Sequence, residues 1–182
     1  MERLAERIAQ NGWHIDYGIL GSKYVLNMLG EYGRTDVIYK MLTREDYPGY
    51  LYWVAHGCTT LAECWNLGGS HNHYMFSDVS AVFYRYFAGI RPDGDIPAYR
   101  SFLLAPALDL AIDTLSCSVE SPHGTIFAGW KKDGDTVTFT AEVPFGTTAR
   151  LRLPAGVQAP ENGAVLDGGR HEFCWKIAQS AG

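Results

Sequence analysis

Glu63, Trp65, His71 and His73 put a carboxylate, an indole and two imidazoles into one short segment. A carboxylate can take a proton from water, imidazoles can donate or accept hydrogen bonds, and an indole offers a flat apolar face with one N–H at its rim. The Gly68-Gly69-Ser70 loop returns the chain from Glu63 and Trp65 toward the two histidines, so all four side chains can converge on one small polar ligand. Sugars are bound by that mixture. Each residue also has a plainer reading. Glu63 on composition alone is a solvated loop carboxylate, His73 a hydrogen-bonded core imidazole, and His71 a support for the loop. Trp65 either stacks on the ligand or packs beneath Glu63.

Other chemistries find less support. Cys58, Cys64, Cys117 and Cys174 contain no Cys-x-x-Cys pair, and they read as reduced, buried thiols rather than disulfides. Zinc would accept Cys58, Cys64, His71 and His73 as ligand types, but their spacing is not a zinc pattern, so no metal and no cofactor is expected. A net charge of −5 without a basic run argues against nucleic acid. No apolar run approaches a membrane span, and Met1 to Arg7 lacks the apolar stretch of a secretory signal, which reads as a cytoplasmic chain without a membrane partner.

The elements that must position these groups change character along the 182 residues. Leu4 and Ile8 take helical spacing up to a stop at Asn11-Gly12, and this first helix looks cut short at Met1. Ile19 to Leu29 reads as a second helix ending at Gly30 or Gly33. A third, Asp36 to Met41, is capped by Thr35-Asp36 and turns Val37, Ile38 and Met41 inward. Pro48-Gly49 forces a turn, and the aromatic, β-branched run Tyr50 to Val54 reads as a short strand or extended loop. Val79 to Phe87 is the strongest helix, entered at Ser77-Asp78 and stopped by Gly89. Beyond Pro92 the pattern favours strands: Phe102–Leu104, Ala111–Glu120, Thr125–Lys131, Thr136–Val143, Thr147–Leu153 and His171–Ile177. Asp133-Gly134 marks a tight hairpin. The expected architecture is α+β with two domains, residues 1–99 helical and residues 100–182 an antiparallel β-sandwich.

The order of motifs resembles the C-terminal part of bacterial α-L-rhamnosidases, glycoside hydrolase family 78. The resemblance rests on Asn11-Gly12-Trp13-His14-Ile15-Asp16-Tyr17-Gly18, on Thr59-Thr60 followed by Glu63 and Trp65, and on Ser70 to Phe76. It continues through Ser80 to Asp93 and Ser121 to Ile126. It implies the last helices of an (α/α)6 toroid followed by a β-sandwich, and rhamnose-containing glycosides as substrates. Inverting hydrolysis needs a carboxylic acid and a carboxylate base set roughly 6.5–9.5 Å apart. By resemblance Glu63 takes the place of the general base and His73 that of a sugar contact, while His14 and His56 lie in matching motifs with positioning roles. The family pattern has Trp at Ala62, a polar or charged residue at Cys64 and Asp at Asn66, so the site here is altered. Its general acid belongs to an upstream segment, and the chain is therefore expected to be inactive alone, needing that portion or self-associating through apolar faces at Leu4, Ile8, Val25 and Leu29. A non-catalytic sugar-binding or structural module is the alternative.

Overall fold

A computed structural model of the chain describes residues 1–15, 17–157 and 159–177. Asp16, part of the first motif, lies outside the described residues. The chain divides into two compact units, Met1–Val82 and Phe83–Gly182.

The first unit is helical. It contains α1 (Glu2–Gln10), α2 (Ile19–Glu31), α3 (Thr35–Leu42), α4 (Tyr50–Ala55), a 3-10 turn at Tyr74–Phe76 and α5 (Asp78–Val82). α1 ends where Gly12 and Trp13 adopt positive φ. Val37, Ile38 and Met41 of α3 are buried as their spacing predicts, with Leu26 and Leu29 of α2. The cap of α3 differs from expectation. Arg34 holds the N-cap position, no side chain caps it, and Asp36 instead pairs with the Arg34 guanidinium at 2.9 Å. The run Tyr50 to Val54 is not a strand. It forms α4 because Tyr50 and Trp53, three residues apart, bury one helical face behind an extended Gly49, and that burial outweighs a weak β preference.

Leu4, Ile8, Val25 and Leu29 do not form the exposed face expected of them. Ile8 and Leu29 are buried and the other two half-buried. The open apolar stripe lies elsewhere on α2, where Leu20, Tyr24 and Met28 are exposed by 80%, 66% and 43%, each four residues from the next.

The second unit begins with a π turn at Phe83–Phe87, so the helix expected over Val79 to Phe87 is α in its first half only. Among the described residues eight strands follow. β1 (Ile90–Pro92), β2 (Ser101–Leu104), β6 (Thr148–Leu151) and β7 (Val165–Leu166) form one sheet in the order β1-β2-β6-β7. β3 (Thr114–Ser121), β4 (Gly124–Asp133), β5 (Thr136–Val143) and β8 (Gly169–Lys176) form the other in chain order. Among the described residues all strand pairings are antiparallel but one: β2 runs parallel to β6. Phe102, Leu104 and Leu151 from the first sheet and Ile126, Trp130 and Phe139 from the second share one core, which makes the unit a sandwich. β5 alternates as its sequence predicts, with Val137, Phe139, Ala141 and Val143 buried. In the tight β4–β5 turn only Gly134 takes positive φ, at 60°.

The units meet earlier in the chain than the composition change near Tyr99 indicates. β1 pairs with β2 through Ile90↔Leu104, which draws residues 90–92 into the sandwich. A three-residue strand containing Pro92 carries almost no period-2 signal, so composition alone leaves it with the helices.

Candidate active site

Glu63 and His73 are brought together by two backbone rungs. The Glu63 N–H donates to Ser70 O at 2.8 Å, and the His73 N–H donates to Leu61 O at 2.8 Å, so the segment folds back on itself across the glycine loop. The Glu63 carboxylate lies inside that fold. Its Oε2 accepts the Ser70 N–H at 2.9 Å and stands 3.6 Å from His73 Nδ1. Among the described residues Oε1 takes no hydrogen bond, and the side chain is 38% exposed. One oxygen is therefore anchored on a partly exposed side chain, an arrangement that can serve a base acting on water.

Gly69 makes this geometry possible. At φ +76 it adopts the left-handed region, and a Cβ there would stand 2.5 Å from Glu63 Oε2. His71 Nε2 bonds Leu67 O at 2.8 Å, within the loop. Asn66 Oδ1 accepts the Gly68 N–H at 3.1 Å and Ser70 Oγ accepts the Asn72 N–H at 3.2 Å, so three of the loop's polar side chains stiffen the loop itself.

Trp65 is tied into the helical unit. Its ring stacks on Trp53 with centroids 4.5 Å apart, Phe76 and Tyr50 approach within 4.3 and 5.2 Å, and its Nε1–H donates to Tyr17 O at 2.9 Å. Trp53 returns a bond from Nε1–H to Trp65 O at 3.0 Å. The part of Trp65 left open borders a cavity of about 570 Å³ shared with His14, Tyr17 and Tyr47. His56, just past α4, bonds Tyr52 O through Nδ1 and lies 4.0 Å from the Tyr52 ring.

Two features beside the site have no sequence signal. His14 Nε2 meets Asp46 Oδ2 at 2.9 Å, and Arg44 grips the same carboxylate through Nε and Nη2. The Arg44 guanidinium and then the His14 ring hold Asp46 far below the usual carboxylate range, and the bond to Asp46 raises His14. Tyr50, whose hydroxyl donates to Phe76 O at 2.9 Å, is pushed up to about 12 by burial. His14 and Asp46 lie 32 residues apart, and spacing cannot pair them.

The four cysteines are free, but not as buried as expected: Cys64 and Cys174 are exposed, Cys58 and Cys117 half-buried. Cys64 sits on a loop and Cys174 on the solvent side of β8, where alternation turns it outward. Among the described residues no three of His, Cys, Asp and Glu gather as metal ligands, and no helix is long and apolar enough to cross a membrane.

Two family models match in succession. Residues 1–87 match the bacterial alpha-L-rhamnosidase 6 hairpin glycosidase domain, and residues 89–164 the bacterial alpha-L-rhamnosidase C-terminal domain. The chain belongs to the bacterial α-L-rhamnosidases. It is 30% identical over 153 residues to an α-L-rhamnosidase of Alteromonas sp. strain LOR, and 30% identical over 165 residues to one from Streptomyces avermitilis. These alignments take in 78% and 85% of this chain but 16% of each relative. Among solved structures it is similar to native α-L-rhamnosidase from Aspergillus terreus, with a TM-score of 0.86 at 26% identity, covering 95% of this chain and 21% of that one. It also resembles the S. avermitilis α-L-rhamnosidase complexed with L-rhamnose, with a TM-score of 0.82 at 27% identity, covering 97% and 19%. The chain thus spans about a fifth of these rhamnosidases, from helices of the six-hairpin domain into the sandwich.

Proposed function

We propose that the chain is the base-bearing part of an inverting α-L-rhamnosidase that hydrolyses terminal α-L-rhamnosides. Glu63 is the general base. The observation that carries this reading is its asymmetric setting, with Oε2 held by the Ser70 N–H beside His73 on a side chain that is 38% exposed. Inversion at an anomeric carbon takes a water molecule on the face opposite the leaving group, deprotonated as it attacks, while an acid protonates the departing oxygen. Glu63 performs the first task. The acid comes from the part of the six-hairpin domain beyond these residues, which the chain needs as its partner. His73, next to the anchored oxygen, contacts the sugar and fixes the carboxylate; His71 and Trp65 act through the loop and the packing beneath it.

The test is Glu63→Gln in the rhamnosidase assembled from this chain and the remainder of the glycosidase domain. Removing a general base should lower kcat by about 10²–10⁴-fold with little change in fold, and NMR of the first-formed sugar should show inverted anomeric configuration. Near-normal turnover by the Gln variant, or retained configuration, would sink the assignment. A chain that binds rhamnose yet yields no hydrolysis in the assembled enzyme would instead be a sugar-binding module.

A further inference from the structure

Gly129 lies in mid-strand in β4, where register sets it between Ser116 of β3 and Thr140 of β5. A glycine in a strand interior forfeits packing and marks a place where something approaches closely. Here that is the ring of Phe127, whose Cζ lies 3.0 Å from where a Gly129 Cβ would stand. Phe127 shares the outer face two residues earlier, so its ring lies along the strand over the glycine instead of rising from the sheet. Laying an aromatic over a strand glycine also stabilises the sheet. It leaves, in addition, a half-buried flat ring in a shallow groove of about 520 Å³.

Hydroxyls of Ser116, Thr138 and Thr140 border that groove, and charges close its ends: Lys131 with Asp133 at one, Arg170 with Glu142 at 3.8 Å at the other. Both signs occur at both ends, which disfavours a phosphate chain and suits a neutral ligand with many hydroxyls. From Lys131 to Phe127 the groove follows the strand for roughly 14 Å at ~3.4 Å per residue, a length that holds two sugar rings. We infer that the outer face of the β3-β4-β5-β8 sheet is a saccharide-binding site for a neutral disaccharide, with Phe127 as the stacking platform and the Ser and Thr hydroxyls as hydrogen-bonding partners. Nothing in this groove depends on Glu63.

The ¹⁵N-labelled chain is titrated with an α-L-rhamnosyl-D-glucose disaccharide and, separately, with cellobiose. At least one should shift the amides of Phe127, Gly129, Thr138 and Thr140. Phe127→Ala should weaken that binding about tenfold while Phe127→Tyr keeps it. Thr140→Arg, a surface change that fills the groove, should abolish it, and this variant decides the matter if Phe127→Ala disturbs the sheet. No shift at these amides at millimolar sugar, or shifts that survive Thr140→Arg, overturn the site. Shifts confined to the Glu63–His73 segment also overturn it while leaving the proposed function standing. Shifts confined to the sheet support it and leave the Glu63 reading to the assembled enzyme, where that site has its partner.

Discussion

At the scale of single residues, the site depends on one backbone conformation as much as on its carboxylate. Gly69→Ala would place a methyl group 2.5 Å from Glu63 Oε2 at a φ that L residues avoid. The variant should lose about 1–2 kcal/mol of stability from the left-handed strain. It should also lose most of the activity of the assembled enzyme, because the carboxylate must leave the Ser70 N–H. Activity that falls no further than stability explains would show that Glu63 does not need this anchor. The His14–Asp46 pair gives a pH dependence. His14 is raised above its ordinary value of 6.5 by the bond to Asp46, so the stability it contributes is complete below that value and is lost as pH rises through the raised one. At the acid end the contribution fades again as Asp46 is protonated, far below the usual range. Thermal melts of the chain against His14→Gln should therefore differ most in mildly acidic buffer and converge as the solution becomes alkaline. A gap that widens with pH would reverse the sign and exclude the pair as its source.

At the scale of elements, the close approaches are sharper than any propensity. Gly89 closes the turn into β1 at φ +82, and a Cβ there would overlap the Ala105 carbonyl carbon at 2.1 Å. The Ala105 N–H donates to Gly89 O at 2.9 Å, so neither strand can back away without breaking that bond. Gly89→Ala should destabilise the sandwich by about 2–4 kcal/mol, measured as a loss of denaturant midpoint; an unchanged midpoint would mean the turn can relax. Gly89 was legible in sequence as a helix stop, but its second duty against Ala105 was not, since that contact crosses from one loop to another. The same division runs through the fold. β5 was readable because every second residue is apolar, and α3 because Val37, Ile38 and Met41 recur at helical spacing. α4 was misread because six aromatic and aliphatic residues fit either period, and only Tyr50 and Trp53 burying together decides between them. In the site, the motif order singles out Glu63 and His73. The anchoring of Oε2, the packing of Trp65 and the Arg44–Asp46–His14 link are three-dimensional facts with no local signature.

At the scale of the molecule, the stripe Leu20, Tyr24, Met28 bears on how the chain behaves by itself. A surface helix normally turns one apolar stripe to the core and keeps the opposite face polar. α2 does the first through Leu26 and Leu29, yet its solvent side carries three large apolar residues at four-residue intervals, continued by Tyr32 at 63% exposure. Contiguous apolar surface of this kind is uncommon on a soluble monomer and promotes association. The chain spans 16–18% of the curated relatives it matches, and we propose that in the complete rhamnosidase this stripe is covered by the remainder of the six-hairpin domain. Expressed alone, the chain should then self-associate with rising concentration. Leu20→Lys together with Met28→Glu should shift light scattering toward the monomer without lowering the melting temperature, because neither side chain supports the core. In the assembled enzyme the same pair of substitutions should weaken activity by impairing assembly, an effect that excess partner fragment would restore. A wild-type chain that stays monomeric at high concentration and binds no hydrophobic dye would show that the stripe is tolerated as bare surface, and covering it would then contribute nothing to assembly.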